Sequence, residues 1–131
     1  MRSRILFLSG RLDDAHRLSR MLQSLPLVLD HAENLRQART QLHRQEYDVV
    51  LTEAALPDGN WLDALHLARE CPRDLVLIVT DPQADARFWA KALNLGAYDL
   101  LAQPFYEPEV RRILSNACFR PEYQQSSMAA V

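Results

Sequence analysis

Short apolar runs punctuate the chain: Ile5 to Leu8, Leu27 to Leu29, Val49 to Leu51, Leu75 to Val79, and Leu100 with Leu101 after Tyr98. Brief continuous runs of this kind fit parallel strands covered on both faces. In the gaps, apolar residues return every three or four positions, the repeat of a helix with one buried stripe. The first gap holds Ala15, Leu18, Leu22 and Leu25, the second Leu35, Ala38 and Leu42, and the third Leu62, Leu65 and Ala68. Asp13 or Asp14 is expected to cap the first helix. A fourth helix is predicted over Asp85 to Leu95, with Gly96 as its stop. A fifth is predicted from Pro108 to Cys118, with the proline suited to the first turn.

Strands alternating with helices imply an α/β fold with a parallel sheet and right-handed crossovers. Five such units predict a flavodoxin-like, doubly wound three-layer sandwich with strand order 2-1-3-4-5 and five helices. Ligands of such folds sit outside the carboxyl ends of the strands, here after Leu8, Leu51, Val79 and Leu101. Residues 1–120 read as one domain, and 121–131 as a polar, then small-residue tail expected to fray.

The 131 residues are 48% hydrophobic with a formal net charge of −2, enough apolar content for a globular core. No basic excess exists to drive phosphate-backbone binding, so direct nucleic-acid binding is not expected. The run Ile5 to Leu8 is too short for a signal peptide or a membrane span, and a cytoplasmic protein is expected. Cys71 and Cys118 match no metal spacing, and His16, His31, His43 and His66 are scattered without ligand partners. Three glycines in the whole chain exclude a glycine-rich dinucleotide fingerprint. The loop Ser9-Gly10-Arg11-Leu12-Asp13 lacks the hydroxyl run of a flavin phosphate site. No enzyme activity and no cofactor are expected.

Three segments resemble response-regulator receiver domains in order and interval. Tyr47 to Gly59, through Asp48-Val49-Val50-Leu51-Thr52-Glu53, is similar to their third strand and following loop. Leu77-Ile78-Val79-Thr80 is similar to their fourth strand with its terminal hydroxyl residue. Gly96 to Phe105 is similar to the fifth strand and the Lys-Pro-Phe turn. The resemblance covers about residues 4 to 118 and implies a phosphoryl-accepting pocket. Two acidic residues and an acceptor aspartate would hold Mg²⁺, while a hydroxyl residue and a lysine would hold the phosphoryl oxygens.

In this chain the acidic-pair positions fall on Ser9 and Gly10, or on Gly10 and Arg11 if the loop carries one extra residue. Asp13 and Asp14 read as helix-start residues rather than displaced ligands. Glu53 stands at the acceptor position, Thr80 at the hydroxyl position, Gln103 at the lysine and Leu100 at the aromatic switch residue. The resemblance therefore implies a degenerate receiver with weak or absent Mg²⁺ binding and no phosphotransfer; the alternatives are a still-switchable receiver that takes phosphate weakly on Glu53 or another acceptor, and a small cofactor binder on a flavodoxin-like fold. Glu53 reads either as a built-in substitute for a phosphorylated aspartate, reaching towards Thr80, or as drift at a retired site. The resemblance also implies a cis peptide bond at Pro104.

The fourth helix offers Phe88, Trp89, Ala90, Ala92, Leu93 and Leu95, more apolar residues than one core stripe needs. Trp89 is expected to face outward, at the centre of the partner or dimer face that receivers build from this helix and the fifth strand. Phe88, Leu100, Tyr98 and Tyr106 join it, with Arg87, Lys91, Glu109 and Arg112 as a rim. Trp61 is a second exposed candidate. The expected partner is a histidine kinase, an output domain, another receiver or a second copy of the chain.

Overall fold

The structure, a computed structural model, describes residues 2–83 and 85–120. The 121–131 tail lies outside the described residues. Five βα units follow one another: β1 Ser3–Leu8, α1 Leu12–Met21, β2 Leu27–Ala32, α2 Leu35–Arg44, β3 Val49–Glu53, then a two-residue hairpin, β4 Ala55–Leu56 and β5 Gly59–Asn60, leading into α3 Trp61–Glu70. After these come β6 Val76–Asp81, α4 Ala86–Leu95, β7 Asp99–Ala102 and α5 Glu107–Cys118. The main sheet is parallel in the order β2-β1-β3-β6-β7, the doubly wound order that the sequence predicts.

Because strand side chains alternate, each central strand feeds two cores. Leu6, Leu8, Val50, Leu77 and Val79 pack with α2, α3 and α4 on one face. Ile5, Phe7, Val49, Leu51 and Ile78 pack with α1 and α5 on the other. Continuous apolar runs are what burial on both faces requires.

Three expectations are corrected. Neither Asp13 nor Asp14 caps α1: the N-cap is Arg11, without a side-chain cap bond, and both aspartates lie inside the first turn. The helix starts earlier because the chain leaves β1 directly into it, and carboxylates within the first turn still complement the helix dipole. Trp61 is only 6% exposed. As the first residue of α3 it turns inward, edge-on to Phe88 with ring centroids 6.3 Å apart. Leu100 is also buried, in the core beneath α3 and α4, because helices cover both faces of β7, with Leu101 packed against α5 on the other side.

The segment after Glu53 is tied down on several sides. Ala54 N–H donates to the Thr80 carbonyl, and Trp61 N–H to that of Ala54. Asn60 and Asp63 form a reciprocal capping box on α3. Asp58 reaches across to α2, its two oxygens accepting from the Leu35 and Arg36 amides at 2.9 and 3.3 Å. Asn34 accepts from Gln37 N–H at 2.8 Å on the same turn. At the far side of the molecule, Gly96 ends α4 with φ of 127°, a conformation that glycine adopts without strain.

Candidate functional site

Four side chains meet where β1, β3, β6 and β7 end. Ser9 follows β1 and is fully buried; its hydroxyl donates to Glu53 Oε1 at 2.9 Å and accepts from the Arg11 amide at 2.9 Å. Glu53 and Thr80 are register partners across β3 and β6. Yet the buried Thr80 hydroxyl donates to the Leu101 carbonyl at 2.7 Å and accepts from Gln103 Nε2 at 3.0 Å. Glu53 therefore turns towards Ser9, and Thr80 towards Gln103.

Gln103 is aimed at Thr80 by the turn that follows β7, whose Gln103–Pro104 bond is cis, as the sequence resemblance implies. Gly10 sits against the Pro57 ring. Asp14 is buried on α1 with Oδ2 unpartnered, its other oxygen 3.9 Å from Arg17 Nη1. Among the described residues, no three His, Cys, Asp or Glu side chains gather to hold a metal ion. The oxygen donors of those four side chains are one carboxylate, one serine hydroxyl, one glutamine carbonyl and a threonine hydroxyl already committed. That set does not fit Mg²⁺, which takes several hard oxygens including carboxylates.

The sequence reading missed His31. On β2, its Nε2 lies 2.7 Å from the Ser9 carbonyl. A carbonyl only accepts, so Nε2 carries the proton. The ring leans on Phe7 at 6.0 Å between centroids. The signal was positional: His31 is one residue from the end of the strand beside β1.

On α4 only Ala92 is buried. Phe88 is half-buried and packs inward, so it anchors the helix rather than the surface. Trp89 (36% exposed), Leu93, Tyr98 and Tyr106 are all exposed, which leaves Trp89 outward as expected. Leu93 and Leu95 join it in place of Leu100 and Phe88.

A doubly wound parallel sheet with Ser9, Glu53, Thr80 and Gln103 at its carboxyl end defines the class, a signal receiver. The response regulator receiver domain family matches residues 13–115. The chain belongs to that family. It is 28% identical over 117 residues to the response regulator protein PilR of Pseudomonas aeruginosa, a match covering 88% of this chain and 26% of that protein. It spans less than half the length of this and another curated relative, a probable transcriptional regulatory protein SilR of Salmonella typhimurium. In fold it superposes on the signal receiver domain of a Luxo repressor protein from Vibrio parahaemolyticus, with a TM-score of 0.86, 17% identity and coverage of 97% of this chain and 98% of that one. The beryllofluoride-activated NtrC4 receiver domain dimer is similar too, with a TM-score of 0.79, 24% identity and coverage of 88% and 95%. Among the described residues no helix is long and apolar enough to cross a membrane.

Proposed function

We propose that this chain is an atypical receiver of a two-component or phosphorelay system whose output does not depend on phosphorylation, and which works by holding a protein on its α4–β7 face. The observation that carries this reading is the way the pocket side chains consume one another. Ser9 is spent on Glu53, and Gln103 on Thr80. An incoming phosphoryl group would find one carboxylate nucleophile, no second carboxylate for a metal, and no lysine to balance its charge. Of the two readings of Glu53, the pairing with Ser9 supports the retired site over a phosphate mimic acting on Thr80. Mg²⁺ binds weakly or not at all, and the domain itself catalyses nothing.

The outward set Trp89, Leu93, Tyr98 and Tyr106, rimmed by Arg87, Lys91 and Arg112, has the mixture of aromatics and arginine common in interface centres. The partner is a histidine kinase, an output domain, another receiver or a second copy. The similar NtrC4 receiver, which is a dimer, supports the last of these. Location in the cytoplasm follows from this role. The test is incubation with acetyl phosphate and Mg²⁺ followed by intact mass. The expected result is an unchanged mass; a labile gain of one phosphoryl group that vanishes in Glu53→Ala would sink the reading.

A further inference from the structure

The end of the sheet opposite the degenerate pocket holds a concavity that nothing above uses. It lies where α2 and α3 finish, below the starts of β3 and β6, and has a volume of about 410 Å³. That falls in the range of small-molecule sites. Its floor is apolar: the half-buried Leu42 and Leu75 with the buried Tyr47, and the exposed Pro72 at its edge. The Tyr47 hydroxyl does not open the floor to water, since it donates to Asp30 at 2.7 Å.

The rim carries both signs. Arg73 stands against two carboxylates, Glu46 in the lining and Asp48 beside it, so the charge left to meet a ligand is that of Arg44. The two arginines differ. Arg73 is held, its guanidinium 2.5 Å from Glu46 and 3.1 Å from Asp48. Arg44 is exposed and makes no ion pair among the described residues. The converging helix ends oppose an anion, but their fields are fractional and fade within a turn. The Gln45 and Cys71 amides already take up carbonyls there.

We infer that this concavity between the ends of α2 and α3 binds a small amphipathic organic anion, with its apolar body on Leu42, Pro72 and Leu75 and its charge on Arg44. A guanidinium fork suits a planar or tetrahedral oxyanion. A polyanion such as nucleic acid does not suit the site, because Glu46 and Asp48 lie beside Arg73 at its edge. The inference is independent of the reading of the phosphoryl pocket.

The probe is 8-anilinonaphthalene-1-sulfonate, an aromatic body with one sulfonate. Wild-type protein is titrated by probe fluorescence, and decanoate is added as competitor. The expected result is one saturable site displaced by decanoate, weakened about tenfold by Arg44→Glu and unchanged by Trp89→Ala. Circular dichroism checks that each variant is folded. Cys71 gives a local readout, since it lines the concavity and is half-buried. Saturating probe is expected to slow iodoacetamide alkylation of Cys71, read by peptide mass, by threefold or more. Binding that does not saturate, that ignores Arg44→Glu, that is lost in Trp89→Ala, or that leaves Cys71 alkylation unchanged would overturn the assignment.

Discussion

Ser9 and Glu53, 44 positions apart in sequence, share a hydrogen bond of 2.9 Å between Oγ and Oε1. The same Ser9 oxygen accepts from the Arg11 amide, so one hydroxyl joins the ends of β1 and β3 to the start of α1. Ser9→Ala removes the donor to a half-buried carboxylate and leaves the Arg11 amide without its partner. The expected cost is about 1–2 kcal/mol, read as a lower urea midpoint. A midpoint equal to wild type would mean that water replaces the hydroxyl at no cost.

The pocket should be repairable. A Cβ on Gly10 would meet the Pro57 ring at ordinary contact distance, 3.5 Å, so a side chain fits there. Ser9→Asp, Gly10→Asp, Glu53→Asp and Gln103→Lys together restore three carboxylates and the cation. The combined variant is expected to gain one phosphoryl group from acetyl phosphate with Mg²⁺, and none with a chelator. No gain under either condition would show that the committed Thr80 hydroxyl, or the fixed loop, blocks the chemistry by itself.

Asp14 places a carboxylate oxygen in the α1 interface with nothing to bond. Leucine there would remove an uncompensated burial cost of about 1–3 kcal/mol and forgo a helix-start contribution of about 0.3–1 kcal/mol. Asp14→Leu is therefore expected to stabilise the domain by roughly 1 kcal/mol in equilibrium unfolding. A fall in stability would show that the carboxylate has a role that the fold alone does not explain.

The two tryptophans should behave in opposite ways. Trp61 is buried against Phe88, and Trp61→Ala is expected to cost about 3–5 kcal/mol of stability. Trp89→Ala should leave the unfolding midpoint almost unmoved. It should instead weaken association or partner binding by 2 kcal/mol or more, roughly thirtyfold, measured by sedimentation. Equal association of the mutant and wild type would place the contact elsewhere.

Stability should fall in alkali. Burial, with Asp48 nearby, pushes the Cys118 thiol from 9.0 up to about 12. Burial and the bond to Asp30 push the Tyr47 phenol upward as well. A raised pKa on an acid means that the unfolded chain ionises first. The neutral-state advantage is thus whole below pH 9 and is lost as pH climbs towards 12. Cys118→Ala should flatten that slope in urea midpoints taken from pH 8.5 to 11. An unaltered slope would assign the loss to Tyr47 and to Cys71, whose thiol is also pushed up by burial.

The parts of the fold legible in sequence are those with a period. Buried parallel strands leave apolar runs, amphipathic helices leave three- and four-residue spacing, and Gly96 marks a helix end by a conformation that few residues accept. The four residues named for the pocket lie at strand ends, Glu53 and Thr80 in the last two positions of β3 and β6, and Ser9 and Gln103 just after β1 and β7. What escaped was decided by the third dimension. Trp61 and Trp89 are the same residue type near a helix start and within a helix, and only the arrangement of Phe88 and the core beneath α3 tells them apart. Leu100 is buried because helices cover both faces of β7, which its own composition does not reveal. The β4–β5 hairpin is two residues per strand, too short to leave an alternation. His31 reaches Ser9 through strand pairing across 22 positions.

The first turn of α2 shows what the clamp from Asp58 implies. A helix start flanked by Arg36 and Arg39 is ordinarily a place where phosphate settles, on free amides and with the dipole behind them. Here the Leu35 and Arg36 amides are given to Asp58 and the Gln37 amide to Asn34. The protein has supplied its own anion to that turn, so a phosphorylated ligand approaching the two arginines would meet a helix end already neutralised.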